Sequence, residues 1–221
     1  MIGASLLSIA LAAAATASAS AQTTPNAYQP QLENAWVKVV RVHYEPHQRL
    51  PEHQHPGGPN IYVYLIDGGP VLFKHEHGDS GGMAAVRPPT KARAYRLAAA
   101  REETHIVENQ SDVPSDFLEV GLKTDITLKT FAGRHESDMP GTATASRVEF
   151  DTDQIRVTRV RCAAASACEP VTASYPTLRI DLSSSGRTDW FEQGAAVRYA
   201  KLSSPSEYLL VELKSKQVST R

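Results

Sequence analysis

Leu50 to Asp67 reads LPEHQHPGGPNIYVYLID, and Thr104 to Asp112 reads THIVENQSD. The first holds two histidines one residue apart, His53 and His55, on a short extended run before a Pro-Gly-Gly-Pro turn and a strand. The second adds His105, followed four residues later by Asn109. Successive side chains of a strand face opposite sides, so His53 and His55 point the same way, and His105, Val107 and Asn109 share a face of theirs. If the two faces look into one barrel, three imidazoles converge. Neutral imidazole suits iron, nickel, copper and zinc, so the pattern is that of a metal site.

Around this stretch the chain reads as short strands. Trp36 to Tyr44, WVKVVRVHY, alternates as a half-buried strand with Val37, Val39 and Arg41 on one side and Lys38, Val40, Val42 and Tyr44 on the other. Ile61 to Ile66 is β-branched and aromatic, and the turn Asp67-Gly68-Gly69-Pro70 ends it. Val71 to His77, Met83 to Val86, Ala94 to Leu97, the run bearing His105 and Asp116 to Lys123 read as further strands. Low aromatic content and frequent Gly, Pro, Ser and Asp between the runs predict an all-β chain.

These residues resemble the cupin superfamily. Its first motif is roughly Gly, five residues, His-x-His, three or four residues, Glu, six residues, Gly, and its second ends in Pro-x-Gly-x-x-His-x-x-x-Asn. His53, His55, His105 and Asn109 match, and Gly68 falls near the closing glycine of the first motif. Pro59 or Asn60 stands at the Glu position, and Ala100 and Glu102 replace the Pro and Gly ahead of the last histidine. The resemblance implies double-stranded β-helix (jelly-roll) barrels, a closed architecture with a side-chain-lined interior. It also implies His53, His55 and His105 as ligands of a divalent transition metal (Fe, Mn, Ni, Cu or Zn), with Asn60 as the only oxygen donor near the missing carboxylate. Tyr62, Tyr64 and Asn109 are candidates to line the pocket. Glu52 and Glu108 alternate away from the inferred ligand face. Val71 to His77 carries a second His-x-His pair, His75 and His77, whose place near a hairpin tip reads as exposed.

The chain then repeats itself. Gln154 to Val160, QIRVTRV, resembles Trp36 to Val42 at an offset of 118, and Glu207 to Lys214, EYLLVELK, resembles Asp116 to Lys123 at an offset of 91. Two tandem units are expected, the second shorter: a first barrel over 22–124, a linker over 125–146 and a second barrel over 147–221. Counted forward, the positions of His53, His55, His105 and Asn109 become Val171, Ala173, Ala196 and Ala200. All eight histidines lie before residue 136, so any metal chemistry belongs to the first unit. Cys162 and Cys168 are the only cysteines, and an even count predicts a disulfide in an exported protein.

Residues 1–21 form an apolar, alanine-rich run ending in Ala19-Ser20-Ala21, which reads as a cleaved signal peptide and predicts a periplasmic or secreted protein, although no Lys or Arg precedes Lys38. A net charge of −1 and a pI near 6.7 supply no basic field for nucleic acid and no polybasic membrane anchor. The expected partner is a small organic molecule. Three roles follow from the sequence: a metal-dependent oxygenase or isomerase, a non-catalytic binding module, and a structural cupin that pairs as a homodimer through its sheets.

Overall fold

The computed structural model describes residues 26–55, 57–75, 81–99, 102–124, 126, 134–135, 139, 141–164, 168–200 and 202–214, with only the backbone described at 134–135. The expected signal peptide, His77 and most of the expected linker lie outside them. The described residues contain strands and no helix.

Ten strands build the first barrel: β1 (Tyr28–Glu33), β2 (Val37–Tyr44), β3 (Arg49–His55), β4 (Asn60–Tyr64), β5 (Val71–His75), β6 (Met83–Arg87), β7 (Tyr95–Ala98), β8 (Glu103–Asn109), β9 (Ser115–Leu122) and β10 (Arg134–His135). They form two sheets, one ordered β1-β2-β9-β4-β7-β10 and the other β3-β8-β5-β6. The second unit repeats the plan with β11 (Ala145–Asp151), β12 (Ile155–Cys162), β13 (Val171–Thr172), β14 (Thr177–Asp181), β15 (Thr188–Phe191), β16 (Ala196–Val197) and β17 (Ser206–Leu213). Its large sheet runs β11-β12-β17-β14-β15, facing the short pair β13-β16. The strand β11 begins two residues inside the stretch read as linker.

The repeat is kept down to its irregularities. Both β2 and β12 span eight residues at an offset of 118, and β9 and β17 at an offset of 91. A register shift between Pro30 and Leu32 in the β1–β2 ladder recurs between Val148 and Phe150 in β11–β12. Such a bulge bends and twists the edge strand, which helps wrap a sheet around a barrel.

Reading β2 as half-buried is corrected by the structure: both of its faces meet protein. Val37 and Val39 join Ile61, Val63, Leu118 and Val120 in one core with Ile155, Val157, Leu178, Ile180, Leu209 and Val211 of the second unit. The large sheets of the two units therefore pack face to face, and the principal hydrophobic core lies between the barrels. Burying each such Val, Leu or Ile contributes about 1.5–3 kcal/mol. The opposite face of the first sheet carries Val42, Tyr44, Tyr64 and Phe117 into the first barrel's own interior. Polar links stitch the same seam: Arg41 donates to Asp116 in a fork and to the carbonyls of Ser184 and Ser185 (both 3.0 Å).

Candidate metal centre

The site is built on the small sheet of the first barrel. In the β3–β8 ladder His53 stands opposite His105 and His55 opposite Glu103, with a register shift between Leu50 and His53. Strict alternation would place Leu50 and His53 on opposite faces. The extra residue of the bulge restores both to the interior, where both are buried. Pro51 sits in that bulge, where the missing N–H of proline removes no ladder hydrogen bond.

The three histidines converge. One donor nitrogen from each of His53, His55 and His105 lies within 4.8 Å of the others, and the ring centroids are 4.9 to 5.1 Å apart. Each imidazole is backed by an oxygen at Nδ1. His53 Nδ1 lies 2.8 Å from the Pro51 carbonyl, His55 Nδ1 3.7 Å from Glu119 Oε1, and His105 Nδ1 3.5 Å from Glu103 Oε2. A carbonyl only accepts, so His53 carries its proton on Nδ1 and turns its Nε2 lone pair to the interior. Oxygens behind metal-ligating histidines commonly fix the tautomer and the ring orientation in this way.

Three elements of this site escape a reading of the motifs. Tyr28, on β1, brings its hydroxyl 2.8 Å from His53 Nε2, 3.5 Å from His55 Nε2 and 3.0 Å from the Tyr44 hydroxyl. Glu103 is two residues before His105 and thus on its face. Glu119 interrupts the apolar run of β9 and shares a face with Phe117, and that interruption is the signal that could have found it.

Burial sets the electrostatics of the pocket. Burial holds the His53 imidazole below its ordinary pKa, and burial followed by the neighbouring imidazoles pushes His55 down to about 3. Both are neutral near pH 7, the form that binds metal. Contact with His105 draws the Glu103 carboxyl down to about 2, while burial raises Glu119 to about 7. His105 is 3% exposed and its Nε2 has no hydrogen-bond partner among the described residues. Leaving a buried polar atom unsatisfied costs about 1–3 kcal/mol, and a metal at that nitrogen would remove the cost. The donor set therefore fits a divalent transition metal ion.

Beside the histidines is a cavity of about 60 Å³ lined by Tyr62, Phe73, Phe117, Arg87, Arg96 and Asn60, among others. Arg87 lies over the Phe73 ring (3.9 Å to its centroid) and Arg96 over Tyr62 (4.3 Å), contacts that hold guanidinium groups at the wall. Asn60 reaches the cavity but donates its amide to the Gly58 carbonyl (3.1 Å). Tyr62 lines the cavity, and Tyr64 is packed in the barrel core.

Asn109 is not brought to the pocket. Fully buried, it donates to the carbonyls of Glu45 (3.0 Å) and Val113 (2.9 Å) and accepts from Ser111, so it clamps the loop between β8 and β9. His75 lies 5.6 Å from the His105 ring and outside the group of three. In the second unit the counterpart of His53↔His105 is Val171↔Val197. The buried position there is Val197, one residue beyond the exposed Ala196 that counting selects. The second barrel has no histidine at either position, and Cys162 and Cys168 form a disulfide with Cα atoms 5.2 Å apart.

No protein-family profile matches the chain, and no curated protein does. Solved structures do. A salicylate 1,2-dioxygenase from Pseudaminobacter salicylatoxidans is 9% identical with a TM-score of 0.50, over 84% of this chain and 75% of that one. The protein YhaK from Escherichia coli is 12% identical with a TM-score of 0.50, over 80% and 84%. A cupin domain from Bordetella pertussis Tohama I is 23% identical with a TM-score of 0.36, over 44% of this chain and 92% of that one. The paired jelly-roll sheets described above agree with the likeness to the dioxygenase and to YhaK: the chain shares the jelly-roll fold of these structures.

Proposed function

We propose that this is an exported cupin that binds one divalent transition metal ion through His53, His55 and His105 and holds a small organic ligand in the cavity beside it. The observation that carries the reading is the convergence of three inward imidazoles, one with a buried nitrogen that finds no hydrogen-bond partner among the described residues. Bound there, such an ion supplies Lewis acidity or, for iron or copper, redox chemistry. The chain's own residues bind and orient: the Pro51 carbonyl fixes the His53 imidazole from behind, Glu103 and Glu119 set carboxyl oxygens 3.5 and 3.7 Å behind His105 and His55, and Phe73, Phe117 and Tyr62 give the ligand face apolar surface. Arg87 and Arg96 offer positive charge to a ligand anion. Oxygenase or isomerase chemistry is the activity this arrangement supports. Export is supported by the N-terminal apolar run and by the disulfide, which persists in oxidising compartments. The units 22–124 and 147–221 are proposed as the two barrels, joined from the intervening stretch by β10 and the first residues of β11, with the second barrel acting as a packing partner.

The test is elemental analysis of wild type purified from the export compartment beside His53→Ala. Near-stoichiometric metal in the wild type and its loss in the variant are expected. Equal content in the two overturns the reading. The paired guanidinium groups favour a second reading, a binding module that grips an anion without turnover, and a metal-free wild type that still binds small carboxylates would establish it.

A further inference from the structure

We propose that the Tyr28 phenolic oxygen is the fourth protein donor of the metal centre, taking the place of the carboxylate absent from the Pro59–Asn60 position; the proposal rests on the metal reading above. Donors around a tetrahedral ion with bonds of about 2.0–2.1 Å stand about 3.3 Å apart. The Tyr28 oxygen lies 2.8 Å from His53 Nε2 and 3.5 Å from His55 Nε2, distances that bracket that edge. It is on the open side of both rings.

The nearby carboxylates are on the other side. Glu119 and Glu103 approach His55 and His105 at Nδ1, behind the imidazoles, at 3.7 and 3.5 Å. Asn60 turns its amide to Gly58 and makes no hydrogen bond to the histidines. The Tyr44 hydroxyl, 3.0 Å from that of Tyr28, is placed to donate to a phenolate oxygen, the kind of supporting contact that orients a ligand. On coordination the Tyr28 O–H bond breaks, an oxygen–metal bond forms, and the proton leaves to the buffer. No electron moves. Tyr28 comes from β1, the edge strand of the large sheet, so the centre would tie that strand to the small sheet that carries the histidines.

The experiment loads full-length wild type, Tyr28→Phe and Tyr44→Phe with Fe(II), oxidises the bound ion in air and records visible absorption, resonance Raman spectra and iron content. Wild type and Tyr44→Phe are expected to show a phenolate-to-iron charge-transfer band with tyrosinate Raman modes. Tyr28→Phe is expected to lack the band whether or not its three histidines keep the iron. Iron bound by wild type without the band, or a band surviving in Tyr28→Phe, overturns the assignment and leaves the three-histidine site standing. Wild type that takes up no iron, zinc or copper overturns both. If Tyr28→Phe fails to fold by circular dichroism, the tyrosinate modes of wild type and their persistence in Tyr44→Phe decide the matter.

Discussion

His53 and His105 face one another across the β3–β8 ladder, their rings perpendicular at 89° and their centroids 5.1 Å apart. They reach this position from segments 52 residues apart in the chain. A cross-strand pair of this kind contributes only tenths of a kcal/mol as packing, and it leaves the His105 Nε2 without a hydrogen-bond partner among the described residues. The arrangement is better at holding an ion than at stabilising a barrel.

His105→Leu should therefore stabilise the metal-free protein. The substitution keeps a side chain of similar bulk against Phe73 and removes the nitrogen that has no partner. A gain of about 1–3 kcal/mol is expected from urea unfolding in EDTA. Added metal should raise the stability of wild type and leave the variant unmoved. A variant less stable than wild type in EDTA would show that the imidazole is satisfied by the protein.

The pH dependence of the metal-free protein follows from the same burial. His55 is held down to about 3 in the folded chain against about 6.5 when unfolded, so between these values the unfolded state binds the extra proton. Its contribution is fully present above about pH 6.5 and is lost as pH falls toward 3. Glu119 works in the opposite direction: raised to about 7 by burial, it favours the folded state below its unfolded value and loses that contribution as pH rises through 7. Thermal unfolding in EDTA should show His55→Phe flattening the acid limb and Glu119→Gln flattening the neutral one. An unchanged acid limb in His55→Phe would contradict the neutral, buried imidazole.

How much of this was legible depends on whether the signal is periodic. His53, His55 and His105 were found because a two-residue period and a motif both point at them. The alternation of Val37, Val39 and Arg41 against Val40, Val42 and Tyr44 holds in the structure. What alternation could not show is that its second face is covered by another sheet, since that sheet lies more than a hundred residues away. Tyr28 sits in YQPQLE, a strand without apolar alternation and interrupted by Pro30, so nothing local marked it. Asn109 matched a motif and shared a face with His105, yet its amide does other work, tying the carbonyl of Val113 in its own loop to that of Glu45 between β2 and β3. The inward position Val197 was missed by one residue because counting assumes no insertion between landmarks.

Gly186 tests the contact between the units from the backbone side. It has φ of +59°, and a Cβ there would meet Leu65 Cδ1 at 2.5 Å. Gly186→Ala combines a left-handed conformation unfavourable by about 1 kcal/mol or more with displacement of a core leucine. A loss of about 2–4 kcal/mol is expected in urea unfolding, with the histidine site intact by metal content. A loss below about 0.5 kcal/mol would mean that the Ser183–Arg187 turn moves freely off the first barrel.

The most demanding element of the seam is Arg159, a fully buried arginine. Its Nε donates to Glu149 Oε1 at 2.7 Å, Nη2 donates to the Arg93 carbonyl of the first unit at 3.0 Å, and Glu207 lies 3.7 Å from Nη1. Glu207 in turn lies 3.8 Å from Arg93 Nη1, so two arginines and two glutamates cross the boundary between the barrels. Removing one member of a buried set costs up to about 3–5 kcal/mol, an upper bound for Arg159 because Glu149 keeps its pair with Arg147, whereas replacing the buried set by apolar groups need cost nothing. Arg159→Met should thus destabilise by up to that amount, and Arg159→Met combined with Glu149→Leu and Glu207→Leu should recover most of it. Both are read by urea unfolding followed by tryptophan fluorescence, since Trp36 and Trp190 pack across the same seam with ring centroids 6.3 Å apart. If the triple variant is no more stable than the single one, the network stabilises the seam by more than relief of stranded charge, and the barrels depend on it for their mutual fit.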